Sequence, residues 1–323
     1  MFFSLPYKTK QFFFVLIKLS IVAGAFYIIY TKLTENPDLS FNDFMRFLTE
    51  NEVFSMKNIL LLIFLSGFNW FLEILKWLKL ISTFHEISFT NALEQTLGSL
   101  TASLITPNRI GEYGAKAIYF SSAFRKRIVL LNLLGNISQM SITVIFGVVG
   151  FAFFVLHNNI EINYYKIARL VAIILISITF IGFGIKKTSF SIKGFSVKKI
   201  IQFIKNVPIK IIAYSLALSL FRYLVFSFQF YYLLVIFGVD ISYIDAMIII
   251  TSMYLISSLI PSIFIFDVVI KGSIAVYLFS IIGVNELTIL CVVMLMWLLN
   301  FVLPSIFGSF YVLNFNLPKD GTE

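Results

Sequence analysis

The chain has 323 residues, of which 59% are hydrophobic and only 13% charged, with a mean hydropathy of +0.94. Soluble globular domains carry about 25% charged residues, so this composition excludes a water-soluble globule and places the chain in a bilayer. The net charge of +9 does not point to nucleic acid, because the basic residues sort by loop as membrane orientation requires, and one cysteine with two separated histidines gives neither a disulfide framework nor metal-ligand spacing, so no cofactor is expected.

A spanning helix needs about 20 mostly apolar residues. Such windows occur at 11–31, 58–80, 128–156, 166–186, 209–237 and 287–313, and they predict an all-α polytopic protein with six full spans. The runs are long and uniformly apolar, unlike the short alternating segments of a membrane barrel. The first window follows Lys8 and Lys10, lacks a small-residue cleavage pattern before Thr31, and is read as a retained span with the N-terminus inside. The loop at 32–56 carries Glu35, Asp38, Asp43, Glu50 and Glu52 and reads as external. Glu73 and Lys76 lie toward the end of the second window, where snorkelling and a local pair are equally good explanations.

Residues 91–120 begin after Lys79, on the inside, and end before the basic run Arg125, Lys126 and Arg127, also on the inside. Two arms of about 15 residues reach about 22 Å each, short of a hydrocarbon core of about 30 Å, so this stretch is predicted to be a re-entrant hairpin. Its turn reads Thr106, Pro107, Asn108, Arg109, Ile110, Gly111, Glu112, Tyr113, Gly114, Ala115, Lys116. Pro107 breaks the helix and suits a new helix start, Gly111 and Gly114 allow close backbone approach, and the new N-terminus offers N–H groups to an anion. Arg109 suits a phosphate in fork geometry, and Glu112 faces Lys116 one turn on. Ionisable residues at membrane depth are costly and mostly line pathways, which favours function here over a surface turn with a local ion pair.

Along the third window Asn132, Asn136, Gln139 and Thr143 form one polar stripe, read as helix-joining in preference to path-lining. The loop at 157–165, with Glu161, reads as external, and the lysine-rich loop at 186–210 as cytoplasmic. Arg222, inside the fifth window, needs a counter-charge, for which Glu112 and Asp267 are the candidates. The segment 244–283 holds a second break at Pro261, then Asp267, Lys271 and Gly272 in an apolar run, with arms long enough to leave two full crossings open. Cys291 reads as packing in the last window.

Residues 86–93 (Glu, Ile, Ser, Phe, Thr, Asn, Ala, Leu) recur as residues 240–247 (Asp, Ile, Ser, Tyr, Ile, Asp, Ala, Met), and the same offset of 154 superposes Pro107 on Pro261. With one inserted residue, Glu112 falls on Asp267 and Lys116 on Lys271. Repeat 1 spans about 58–156 and repeat 2 about 209–313. Charge placement makes the first hairpin enter from inside and the second from outside, the inverted-repeat plan of many secondary transporters. Broken backbone at that depth requires protein or a wet cavity around it.

At these residues the chain resembles the membrane domain of the lysylphosphatidylglycerol synthase/flippase family, through the Pro107 turn followed by Gly111 and Glu112. The second copy departs from that family's glycine-rich turn, with Phe264, Ile265, Phe266 and Asp267 in its place. The resemblance implies a bacterial inner-membrane protein that moves a lipid or lipid-linked headgroup, anionic or polyprenyl-phosphate in type, between leaflets, or that assists a lipid-modifying enzyme. Only Asn314 to Glu323 follow the last window, so the soluble aminoacyl-transfer domain of full-length synthases is not expected. The site set is Asn108, Arg109, Glu112, Lys116, Arg222, Asp267 and Lys271. The rival readings are an intramembrane lipid enzyme, for which Glu112 and Asp267 are the sole acid/base candidates, and a membrane scaffold.

Overall fold

The computed structural model describes residues 41–50, 55–104, 106, 109–158, 191–192, 195–260 and 264–316, with three isolated positions before residue 41. It is helical, apart from a two-residue antiparallel pair of Ser191–Ile192 with Phe195–Ser196. Helices α1 (Phe41–Glu50), α2 (Met56–Ile81), α3 (Phe89–Ser103), α4 (Gly111–Ile118) and α5 (Arg125–His157) form the first half. The second half has α6 (Val197–Asn206), α7 (Ile209–Ile236), α8 (Tyr243–Leu259), α9 (Phe264–Ser280), α10 (Glu286–Trp297), a π-turn at Leu298–Val302, and α11 (Leu303–Asn314). Among the described residues four helices are long and apolar enough to cross a membrane: α2, α5, α7, and the continuous rod from Glu286 to Asn314. They match the windows at 58–80, 128–156, 209–237 and 287–313. The windows at 11–31 and 166–186 lie outside the described residues, as do Pro107, Asn108 and Pro261.

The repeated peptide acquires a structural meaning at its serine. Ser88 accepts a hydrogen bond from the Asn91 N–H (3.1 Å) to cap α3, and Ser242, its counterpart, accepts from the Asp245 N–H (3.2 Å) to cap α8. An orphan donor at a helix start is thereby satisfied in the same way in both halves. The lysine-rich segment read as a loop is in part the helix α6, because Phe203, Ile204 and Val207 fall on one face and pack against the first-half core while Lys205 stays outside.

Two main apolar cores form, each dominated by one half but taking in residues of the other. The first gathers Ile74, Trp77, Leu80, Ile81, Ala92, Ile128 and Leu131, and the second Phe230, Leu233, Leu234, Ile250, Phe279, Ile289 and Val292; Leu48, Leu62 and Phe154 join the second, and Val207 the first. The halves are joined reciprocally: α2 packs on α7, α3 of the first half packs on α11 of the second, and α8 of the second packs on α5 of the first. Both swapped crossings run over glycine. A Cβ on Gly308 would collide with the Leu97 carbonyl on α3, and one on Gly147 would come within 2.5 Å of the Leu255 Cβ on α8. The outward faces are apolar, with Leu60, Ile63, Phe64, Val148, Val149 and Phe153 exposed, a surface fitted to lipid rather than water.

Candidate functional site

Between α3 and α4 the chain turns on Thr106. Its hydroxyl donates to the Ser103 carbonyl (2.8 Å) and accepts from the Gly111 N–H (2.8 Å), fixing the start of α4. A Cβ on Gly111 would meet Thr106 Oγ1 and Cγ2 at 2.8 Å and the Ala102 carbonyl at 2.9 Å, so the predicted close approach is real there. It is absent at Gly114, which lies inside α4 with nothing within 4 Å of its Cβ position, and Gly272 lies inside unbroken α9 in ordinary contact with Leu290. Neither marks a break. The N–H groups expected to stand open to an anion are engaged at three positions: that of Arg109 goes to the Thr106 carbonyl, that of Gly111 to the Thr106 hydroxyl and that of Tyr113 to the Ile110 carbonyl.

Arg109 adopts φ 56°, the one positive φ on a non-glycine residue among those described. A left-handed arginine costs about 1–2 kcal/mol and persists only where its surroundings fix it. Here its guanidinium pairs with Glu112 (3.1 Å) and lies 5.8 Å from the centroid of the Phe301 ring. Glu112 also takes Lys116 (2.9 Å), whose Nζ donates in addition to Asn132 Oδ1 (2.8 Å) and stands 4.4 Å from the Trp77 ring centroid. Lys116 is 1% exposed, so this cluster removes a full charge from solvent.

A second cluster of the same composition centres on Glu73, which pairs with Lys76 (2.7 Å) and with Arg222 (2.5 Å). The counter-charge of Arg222 is therefore Glu73 and not Glu112, which is engaged by Arg109 and Lys116. Glu73 and Lys76 are buried, so they do not snorkel. Each cluster sets one acid between two cations. The side chain of Asp267 lies outside the described residues, and Lys271 stands 5.6 Å from the centroid of the same Phe301 ring that Arg109 covers.

Arg222 Nε also donates to Asn69 Oδ1 (3.0 Å), Asn69 Nδ2 to Asn300 Oδ1 (2.9 Å), and Asn300 Nδ2 to Gln229 Oε1 (2.9 Å). Asn69, Arg222 and Asn300 each lie at least 12 residues, about 18 Å along the axis, from either end of their rods, which places this chain at mid-depth. Sequence reading missed Asn69, Gln229 and Asn300. The signal that pointed to them was Pro304, which has no N–H to give the Asn300 carbonyl four residues back. In addition, the π-turn sends the Leu303 N–H to the Leu298 carbonyl, which leaves the Leu299 carbonyl open. α2 supplies both missing donors: Trp70 Nε1 to Asn300 O (3.0 Å) and the Ser66 hydroxyl to Leu299 O. Trp70→Phe is expected to cost about 1–3 kcal/mol by stranding a buried carbonyl. In a Pro304→Ala background, where an N–H returns, the loss should shrink, and a double-mutant cycle of detergent unfolding midpoints measures the difference.

These elements line a half-open cavity of about 610 Å³. Arg109, Arg222 and Lys271 line it, together with Asn69, Asn136, Gln139, Thr143, Tyr223, Tyr254, Ser257, Ser258 and Phe301. Asn136, Gln139 and Thr143 lie on the cavity wall, so the stripe lines the cavity as well as joining helices: Asn132 Oδ1 accepts from Lys116 of α4 (2.8 Å) and Asn136 Nδ2 donates to the Tyr113 hydroxyl of α4 (2.8 Å). Of the seven expected site residues, Arg109, Arg222 and Lys271 meet at the cavity, Glu112 and Lys116 stand directly behind Arg109, and Asn108 and the Asp267 side chain are outside the described residues. No protein-family model, no curated protein and no solved structure matches the chain.

Proposed function

We infer that this chain is a flippase-like membrane protein that carries a phosphate-bearing lipid headgroup through a mid-depth cavity, on the plan of the lysylphosphatidylglycerol synthase/flippase family that its first turn resembles. The observation that carries the reading is the convergence of Arg109, Arg222 and Lys271, one from the first half and two from the second, on one cavity. Three cations on one cavity wall at membrane depth offer a phosphate several charge-assisted donors, and arginine suits its bidentate geometry. The buried acids behind them hold the guanidinium groups in place without consuming their charge, since each acid already serves a lysine.

In this reading α3 and α4 form a re-entrant hairpin entering from the cytoplasmic side of a bacterial inner membrane, with the N-terminus inside. Fifteen and eight residues reach about 22 and 12 Å, too short to cross. α8 and α9 form its counterpart from the other face, and the shared serine caps and swapped crossings support the inverted-repeat relation. Rocking of one repeat against the other would expose the cavity to each leaflet in turn.

The test is movement of fluorescently labelled anionic lipid between leaflets of proteoliposomes. Arg109→Ala and Arg222→Gln each leave an acid still paired with a lysine, so folding is spared, and each should slow transfer by roughly 10- to 100-fold, the worth of one charge-assisted contact of about 1.5–3 kcal/mol. Wild-type rates in both variants would refute the site, and chemical conversion of the lipid would favour an intramembrane enzyme.

A further inference from the structure

The three cavity cations share one support, the π-turn at Leu298–Val302. A π-turn fits an extra residue into a helix, and such turns recur at functional sites. This one lies at mid-depth where the last rod passes the cavity, and two of its consecutive residues, Asn300 and Phe301, connect to all three cations.

Asn300 connects to Arg222 by two routes. Its side-chain oxygen accepts from Asn69 Nδ2 (2.9 Å), and Asn69 Oδ1 accepts from Arg222 Nε (3.0 Å). Its carbonyl accepts from Trp70 Nε1 (3.0 Å), and the same indole carries the Arg222 guanidinium 5.5 Å from its ring centroid. Phe301 serves the other two cations with a single ring, whose centroid is 5.8 Å from Arg109 Cζ and 5.6 Å from Lys271 Nζ, one cation from each half of the chain. That ring packs against both the second core and the cluster of Trp70, Leu97, Leu100 and Leu104, so it is fixed in place and the cations come to it.

Both supports hold a cation without cancelling it. An amide and an aromatic face carry no net charge, whereas a carboxylate in their place would neutralise part of what an incoming anion is to meet. The two acids stand elsewhere, Glu73 against Arg222 and Lys76, and Glu112 against Arg109 and Lys116. Arg109 and Lys271 also repel each other, and attraction to a shared ring opposes their turning apart. Resting on the flippase reading above for the role of the cations, we propose that the π-turn is the seat that sets the cavity's charge geometry, with Asn300 and Phe301 as positioning residues for Arg222 and for the Arg109–Lys271 pair.

The experiment replaces Phe301 in the full-length protein by phenylalanines carrying one, two or three ring fluorines, which drain the negative face of the ring and nearly keep its shape. Affinity for dihexanoyl phosphatidic acid, titrated by calorimetry in detergent, should fall stepwise along the series, reaching about 5- to 30-fold below wild type, the worth of two cation–π contacts. Phe301→Tyr, which keeps the π face, should bind as wild type does, and Phe301→Leu as the most fluorinated protein does. A role in packing alone would not follow the fluorine count, so equal affinity across the series overturns the proposal. Asn300→Leu should weaken binding about 3- to 10-fold, and by less in an Arg222→Gln background, where no guanidinium is left to position. Equal losses in both backgrounds overturn the part given to Asn300. If the wild-type protein binds no anion, the flippase reading fails and thermal unfolding decides this inference separately: the fall in melting temperature on Phe301→Leu should be smaller in a Lys271→Met background than in wild type, and strict additivity overturns it.

Discussion

Glu73→Gln should lower the stability of the detergent-solubilised protein by about 3–5 kcal/mol, the usual loss when a buried ion cluster loses one partner and leaves the other uncompensated. Lys76 is 2% exposed and, among the described residues, pairs with no other acid, while Arg222 would retain Asn69 and the Trp70 ring, 5.5 Å from its guanidinium. Two cations at mid-depth would then repel each other across a neutral amide. Adding Lys76→Met should recover part of the loss, because it removes the more deeply buried of the two stranded charges. Thermal unfolding followed by near-ultraviolet circular dichroism reads both steps; a single variant as stable as wild type, or a double variant worse than the single, would contradict the cluster as described.

Glu112→Gln should produce a loss of similar size, about 3–5 kcal/mol, and should exceed that of Lys116→Met. The asymmetry follows from the geometry: Glu112 serves two cations, whereas removing Lys116 leaves Arg109 and Glu112 still paired at 3.1 Å. Lys116 is enclosed by Asn132 and the Trp77 ring and has no route to solvent, so it cannot relieve an uncompensated charge by moving. The carboxylate also holds Arg109 in its left-handed turn. Loss of the acid should therefore release the arginine and, on the function proposed above, weaken lipid binding as well, an effect that Lys116→Met should show less. Equal stability of the two variants would remove the central role given to the acid.

The parts legible in the sequence are those written in short range. Ser88 and Ser242 stand three residues before the donors they cap, so the repeat carried its structure with it. Glu112 and Lys116 are one turn apart, and a helix delivers that pair wherever it lies. The partner of Arg222 was illegible for the opposite reason: Glu73 is 149 residues away, and only the packing of α2 on α7 brings them together. The polar stripe on α5 was ambiguous in kind, because a row facing a helix and a row facing a cavity have the same periodicity. The path from Asn69 to Gln229 is built from single polar residues in apolar runs. Its clue, Pro304, says that a carbonyl has lost its donor but not which helix replaces it.

The clusters also differ in when they are completed as the chain is made. Glu112 meets both of its cations within five residues on either side, and Glu73 and Lys76 enter together as a neutral pair. Arg222 has no acid in its own helix α7, and a lone arginine near the centre of a span costs about 2.5–3.5 kcal/mol to insert. Its counter-charge is already embedded in α2 by the time α7 emerges. Membrane entry of the later span is thus favoured by the earlier one, and the order of synthesis, first half before second, matches the order in which the ions can be neutralised.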